Sequence, residues 1–340
     1  MSNRITMSDV ARKAGVSLMT VSRVINDKED VSVETRLRVL EIIKSMDYRP
    51  SAIARSLATQ QTRTIGLLIP DISNPFFADV TLGIEHLAYA QGYHVFLCNT
   101  DEDPERELML LQSLEEKQID GLILCSSRLA DNLLLDLLAH LPATVLMHRT
   151  INGSNNDRKN SLVQSVLIDD QTGSRLAIQH LIQRGHHQIG FLAGPALSYS
   201  SVSRKKGYYS SLESAGISPD SGWVVNCPPY VHGGYQAALH LLTEHPELTA
   251  FFCFNDLVAV GALQACRESG RGVPDDLNVV GFDDIPLADL VSPTLTTCRV
   301  PRQKLGTLAV SALIEHLKDR PGESQQIVMQ PELIIRQSAP

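Results

Sequence analysis

No run of ~18 apolar residues occurs anywhere in the 340-residue chain, and its first stretch, MSNRITMSDV, has no apolar signal-peptide region. The expectation is a cytoplasmic protein that neither spans nor crosses a membrane. The six cysteines, at positions 98, 125, 227, 253, 266 and 298, show no paired metal spacing and sit mostly inside apolar runs, as in a reduced compartment. There is no Gly-x-Gly-x-x-Gly after a first strand, no phosphate-loop lysine, no nucleophile elbow and no His-Glu-x-x-His. His186 and His187 are adjacent, so in a strand they point apart and read as structural residues, not ligands. No enzyme activity, metal or cofactor is therefore expected. An overall excess of positive charge is also lacking: the formal net charge is −8. The charge is uneven, however. Residues 1–63 hold 11 Lys and Arg against 7 Asp and Glu, a net of +4, and the remainder holds 19 against 31, a net of −12. The basic end is the one suited to a polyanion. At this length, with 43% hydrophobic residues, two or three globular units are expected.

What is present begins with two short helices. Thr6 stands three residues before Asp9, the spacing of a capping box, and opens a helix through Val10, Ala11 and Ala14 that Gly15 ends. Val16 and Ser17 complete a tight turn, and Ser17 can cap a second helix with Val21, Val24 and Ile25 on one face. Two helices across a glycine turn make a helix-turn-helix. The free face of the second helix carries Leu18, Met19, Ser22, Arg23 and Asn26 and suits a major groove. Leu18 and Met19 can read thymine methyls or shape, whereas Arg23 can pair with guanine. A third helix from Ser32 is expected to turn Leu37, Leu40, Ile43 and Met46 toward a miniature core. Ser32, Thr35 and Tyr48 could donate to phosphates, although Ser32 also suits a helix cap and Tyr48 a core position. Pro50 then stops the helix. Ser51 could cap a short alanine-rich helix ending near Ala58, too short to be stable alone.

From Thr64 the pattern becomes strand, turn and helix, repeated: apolar runs such as TIGLLIP, DGLILC and ATVLM alternate with amphipathic helices. That pattern implies doubly wound parallel sheets, and a second set beginning at LVQSVLIDD implies two similar lobes. A ligand would sit between such lobes at the carboxyl ends of the strands. Candidates there are Asp71, with Phe76 and Phe77 close behind, Arg204 at the opening of a helix, Asn255 with Asp256, and Asp283. Neighbouring Phe76 and Phe77 are expected to divide, one to the core and one to the cleft. Asn255 and Asp256 suit a helix cap as readily as a ligand contact. The segment SYSSVS, beginning at Ser198, supplies hydroxyls for a polyol, a sugar or a purine.

The run DVARKAGVS followed by TVSRVIN resembles the amino-terminal signature of the lac repressor family of bacterial transcription regulators. The resemblance continues through YRPSAIARSL, DGLIL, RGHHQIGFLAGP, FNDLVAVGAL, VPDDLNVVGFDDI and LTTCRVP. It implies an N-terminal all-α helix-turn-helix domain (1–49), a hinge helix and linker (50–63) and a two-lobed α/β periplasmic-binding-protein-like core (64–340). The first lobe would hold about 64–161 and 293–320, the second about 162–292 and 321–340. By the same resemblance Thr6, Ser17, Leu18, Met19, Thr20, Ser22, Arg23, Asn26, Ser32, Thr35 and Tyr48 face DNA. Ser51, Ala54 and Leu57 belong to the hinge, where Leu57 matches a leucine pressed between base pairs in the minor groove. Asp71, Phe76, Phe77, His148, Ser198, Arg204, Asn255, Asp256 and Asp283 would bind the effector. Many sugar and purine repressors carry an aspartate where His148 and Arg149 stand here, and two basic residues favour an acidic or phosphorylated sugar. The implied protein is a homodimer, or a tetramer, on a near-palindromic operator. It would repress a carbohydrate catabolic operon under a sugar, sugar phosphate or sugar acid. A purine- or nucleoside-responsive repressor and a small-molecule binding protein without DNA function are the alternatives.

Overall fold

The computed structural model describes residues 5–48, 56, 61–151, 163–318 and 326–340, so the hinge positions Ser51, Ala54 and Leu57 and the turn-rich stretch 152–161 lie outside the described residues. The chain forms two compact units, Met1–Thr62 and Arg63–Pro340.

The first unit holds α1 (Met7–Ala14), α2 (Leu18–Ile25) and α3 (Val33–Ser45). The capping box forms as spaced: Thr6 Oγ1 accepts from the Asp9 amide, and the Thr6 amide donates to the Asp9 carboxylate. Gly15 ends α1 at φ +64°, a left-handed position that a side chain would strain. Val10, Ala11, Ala14, Val21, Val24, Val39 and Tyr48 form the core, with Ile42, Ile43 and Met46 packed on it. The phase of α3 differs from the expected one. Leu37 is 63% exposed and Leu40 is also exposed, because Val39, Ile42, Ile43 and Met46 supply an i, i+3, i+4, i+7 stripe that leaves those leucines outside it.

In the second unit the chain runs β1 (Thr64–Ile69), α4 (Pro75–Ala90), β2 (His94–Asn99), α5 (Pro104–Glu116), β3 (Gly121–Cys125), α6 (Asp131–Leu138), β4 (Ala143–Met147) and β5 (Val163–Ile168). It continues through α7 (Asp170–Gln183), β6 (Ile189–Leu192), α8 (Tyr199–Ser214), β7 (Val224–Val225), α9 (Val231–Glu244), β8 (Ala250–Cys253), α10 (Asp256–Glu268), β9 (Asn278–Asp283) and α11 (Leu287–Leu290). It ends with β10 (Thr296–Arg299), α12 (Arg302–Leu317), β11 (Gln326–Met329) and β12 (Glu332–Ile334).

Two six-stranded sheets result, ordered β11-β5-β4-β3-β1-β2 and β12-β10-β9-β8-β6-β7. Every pairing is parallel except β12 against β10. The lobe boundaries shift accordingly. Strand β5, placed by sequence in the second lobe, pairs with β4 in the first sheet, and β10, placed in the first lobe, pairs with β9 in the second. Strand β11 returns to the first sheet and only β12 rejoins the second. Strand patterns look alike in both lobes, so partner choice is settled by edge pairing that hydropathy does not encode.

Helix α12 packs on α4 at backbone distance. A Cβ on Gly83 would lie 2.2 Å from the Gln303 carbonyl oxygen, and one on Gly306 would lie 2.2 Å from that of Val80, so glycine at both positions is what lets the two helices approach this closely. The carboxyl-terminal residues are built into the second lobe. Ser338 Oγ donates to the Val279 carbonyl and accepts from the Thr296 amide, and the Ala339 carbonyl lies 2.9 Å from His180 Nε2. Among the described residues no helix is long and apolar enough to cross a membrane, and no group of His, Cys, Asp and Glu could hold a metal ion.

Candidate functional site

In the first unit α2 presents the face expected of it. Leu18 and Met19 are 51% and 64% exposed. Arg23 pairs with Asp30 at 3.0 Å, both side chains about half exposed, an ion pair weak enough to give way to a ligand. Ser17 accepts from the Thr20 amide at 3.1 Å and lies 2.9 Å from Thr20 Oγ1, while Asn26 Nδ2 donates to the Ser22 carbonyl at 2.9 Å. Ser32 caps α3 by accepting from the Thr35 amide. Tyr48 is buried in the miniature core, the second of the two roles open to it.

In the second unit a cleft lined by residues of both lobes lies between them. The loop after β1 supplies Asp71, whose carboxylate accepts from the Ser73 amide at 2.8 Å, and Asn74, which caps α4. The first turn of α4 supplies both Phe76 and Phe77, edge to face with centroids 5.2 Å apart. The expected division between core and cleft does not occur, because the helix ends at the cleft and both rings reach it while staying buried. Ser126 and Arg128 follow β3, and His148 follows β4. From the second lobe come Ser198, Ser200, Arg204, Pro229, Tyr230, Phe254, Asn255 and Asp283. Helix α8 begins at Tyr199 with Ser198 as its cap, so Arg204 sits inside the helix and does not open it. Asn255 caps α10 by accepting from the Val258 amide at 2.8 Å, and it also lines the cleft. Asp256 does not line it. That carboxylate is 0% exposed, accepting from the Ile285 amide at 2.8 Å and from the Thr297 hydroxyl.

Among the described residues, every guanidinium at or near the cleft is matched. Arg204 donates from Nε to Asp170 at 2.8 Å and from Nη1 to the Phe254 carbonyl, lies 3.8 Å from the Asp283 carboxylate, and stacks over Phe282 at 3.5 Å. Arg128 forks onto Glu102 at 2.6 and 3.0 Å. Arg149 faces away from the cleft, held by Asp131 at 2.6 Å and Ser127. His148 Nδ1 lies 3.1 Å from Ser126 Oγ, and its buried Nε2 has no hydrogen-bond partner among the described residues. Burial, outweighing Asp170, lowers the His148 pKa to about 4, so the ring is neutral. Burial likewise raises Asp283 to about 7 against the opposing pull of Arg204.

That shift has a measurable consequence. A carboxyl whose folded pKa lies above its unfolded 3.8 contributes stability that is complete below about pH 4 and is lost as pH rises through about 7. Asp283 is therefore expected to add a fall in the urea midpoint between pH 5 and pH 7, followed through Trp223, the chain's single tryptophan, against the rise that neutral His148 contributes below about pH 6.5. Asp283→Asn should reduce that slope; an unaltered slope would remove Asp283 as its source.

Sequence reasoning missed Asn74, Glu102, Ser126, Arg128, Ser200, Pro229, Tyr230 and Phe254. Glu102 and Arg128 lie beyond the ends of β2 and β3, so the strand-end rule that found Asp71 and Asp283 extends to them. Tyr230 follows a strand of two residues and left no such signal.

Residues 6–51 match the family described as bacterial regulatory proteins, lacI family, and residues 178–339 match a periplasmic binding protein-like domain. The HTH-type transcriptional repressor PurR of Photobacterium profundum is 37% identical over 336 residues, 98% of each chain. That of Haemophilus influenzae (strain PittEE) is 38% identical over 339 residues, also 98% of each. Among solved structures, the Lac repressor dimer bound to operator and the anti-inducer ONPF superposes with a TM-score of 0.86 at 27% identity, covering 99% of each chain. The complex of the regulator CelR with cellobiose gives 0.74 at 31%, covering 98% of this chain and 100% of that one.

Proposed function

The chain belongs to the lacI family of bacterial regulatory proteins and is a DNA-binding transcriptional repressor of that family, and from this premise we propose that its hold on DNA is controlled by an uncharged, polyhydroxylated ring, a neutral sugar, in the interlobe cleft. One observation carries the ligand class: the cleft offers hydroxyl, amide and carboxylate groups from both lobes, while each of its guanidinium groups is already matched to a carboxylate. An acidic or phosphorylated sugar would meet Asp71, Glu102 and Asp283 with, among the described residues, no unmatched cation lining the cleft to receive it. Arg149, half of the reason for expecting one, is engaged by Asp131, and His148 is neutral. Phe76, Phe77 and Phe254 supply apolar faces for the ring. A purine base is the second reading, favoured by relatives named PurR and by those same aromatic faces. Calorimetry of the full chain with neutral mono- and disaccharides, sugar acids, sugar phosphates and purine bases separates these classes. A neutral sugar is expected to bind; binding of only a purine or only an anionic sugar would overturn the assignment.

The protein acts in the cytoplasm as a homodimer on a near-palindromic operator, one helix-turn-helix per half-site. Support comes from the exposed Phe96 and Leu97 on edge strand β2, the exposed Leu82 and Tyr89 on α4, and the dimeric Lac repressor relative. Arg23→Ala is expected to cost about 1 to 3 kcal/mol at one position of each half-site and to relax the base preference there. A gel-shift series over single-base operator variants checks this. Equal loss on all sequences would make Arg23 a phosphate contact.

A further inference from the structure

Arg302 opens α12 immediately after the chain has crossed from β10 of the second sheet to the helix layer of the first. Its Nε donates to the Asp79 carboxylate of α4 at 2.8 Å. Its Nη1 donates to the carbonyl oxygens of Asp283, at 2.8 Å, and Asp284. Those two residues form the turn that ends β9, with φ of +109° and +54°. Such a conformation is strained for a residue with a side chain and persists only where its surroundings over-determine it. On the second-lobe side the turn is already held, because the Asp284 carboxylate is gripped by Arg299 at 2.7 Å and Arg336 at 2.8 Å. Arg302 is what joins it to the first lobe, and it reaches α4, the helix that carries Phe76 and Phe77 into the cleft.

We propose that Arg302 is a positioning residue for the effector site: it pins the Asp283–Asp284 turn of the second lobe to α4 of the first, so that a ligand engaging the Asp283 carboxylate acts on the first lobe through this side chain. A planar guanidinium suits the task, since its rigid fork can serve a carboxylate on one edge and carbonyls on the other. The groups facing Asp283 are Arg204 of α8, Asp170 of α7, Asp256 of α10, Arg302 of α12 and its neighbour Asp284. Arg204 and Arg302 favour its ionised form, and Asp170 opposes it. The role assigned to Arg302 rests on the cleft being the effector site, but its test needs no ligand.

The test uses full-length, ligand-free protein in three variants, Arg302→Met, Arg302→Lys and Asp79→Asn, followed by hydrogen exchange and by carbon NMR of the aspartate carboxyls. In Arg302→Met, exchange should quicken about 10-fold in both 281–286 and 76–82, the effect of losing charge-assisted hydrogen bonds. The Asp283 titration midpoint should rise in the same variant. Arg302→Lys should restore the midpoint, which a purely structural role for the side chain would not require. Asp79→Asn, at a half-buried position, should quicken exchange in 281–286 although it lies in the other lobe. If Arg302→Met affects only 281–286, or Asp79→Asn leaves that segment unchanged, Arg302 is a local brace and the proposal fails. Should no neutral sugar bind while these variants behave as expected, the ligand assignment falls and the pin stands.

Discussion

Arg204→Leu is expected to remove about 3 to 5 kcal/mol of stability from the second lobe, the usual consequence of stripping one partner from a buried ion pair, and to abolish effector binding. Arg204 and Asp170 are both almost wholly buried, so the substitution leaves the Asp170 carboxylate with no counter-charge, and the Phe254 carbonyl loses its donor. The urea midpoint of the Trp223 signal should drop by about 1 to 3 M at ordinary slopes. Trp223 is a suitable reporter because its ring is buried in the second lobe's own apolar cluster. Converting the pair together, Arg204→Leu with Asp170→Leu, should recover most of the stability while binding stays lost, since a buried pair exchanged for apolar side chains is often neutral. A single variant as stable as the native chain would show that the buried pair contributes little.

The second large effect is expected at Asp256, and there the choice of replacement decides the meaning. Asp256→Ala strands two buried donors, the Ile285 amide and the Thr297 hydroxyl, at about 1 to 3 kcal/mol each. Asp256→Asn should be nearly silent. Burial and the neighbouring Asp283 carboxylate push the Asp256 pKa well above the usual aspartate range, which favours its protonated form. In that form, as in asparagine, one atom accepts from the Ile285 amide while the other donates to Thr297 Oγ1, the hydroxyl turning from donor to acceptor. Gly281 belongs to the same arrangement, for a Cβ there would lie 2.3 Å from Asp256 Oδ1. Urea denaturation of both variants checks the contrast. A fall in effector affinity for Asp256→Asn with unchanged stability would return this residue to the ligand site.

These residues show where the sequence speaks and where it does not. The capping box at Thr6 and the caps at Ser17 and Ser32 were legible because a cap is made within a few residues of chain. Asp71, Asn255 and Asp283 were legible because strands of an open sheet deliver their ends to one crevice. Whether a strand-end carboxylate faces ligand or core was not, since Asn255 and Asp256 differ only in which way one turn rotates them. The Arg128–Glu102 and Arg149–Asp131 pairs were illegible for another reason: each joins residues from different loops, and charge matching at that separation leaves no periodic mark. The phase of α3 was misread because Leu37 and Leu40 compete with Val39 and Ile42 for the same stripe, and only the packed partner helices choose between them.

The last part of the chain closes both lobes at once. Helix α12 and β11 complete the first, while β12 and the buried Ser338 and Ala339 complete the second. On a ribosome, then, neither lobe can finish folding as its own stretch of sequence emerges: each waits, with a sheet edge open, until residues beyond Arg302 are released. The DNA-reading unit, whose core lies wholly within its first 48 residues, has no such wait. A newly made chain therefore carries a folded helix-turn-helix well before it carries a cleft, and the order of synthesis separates the part that reads DNA from the part that governs it.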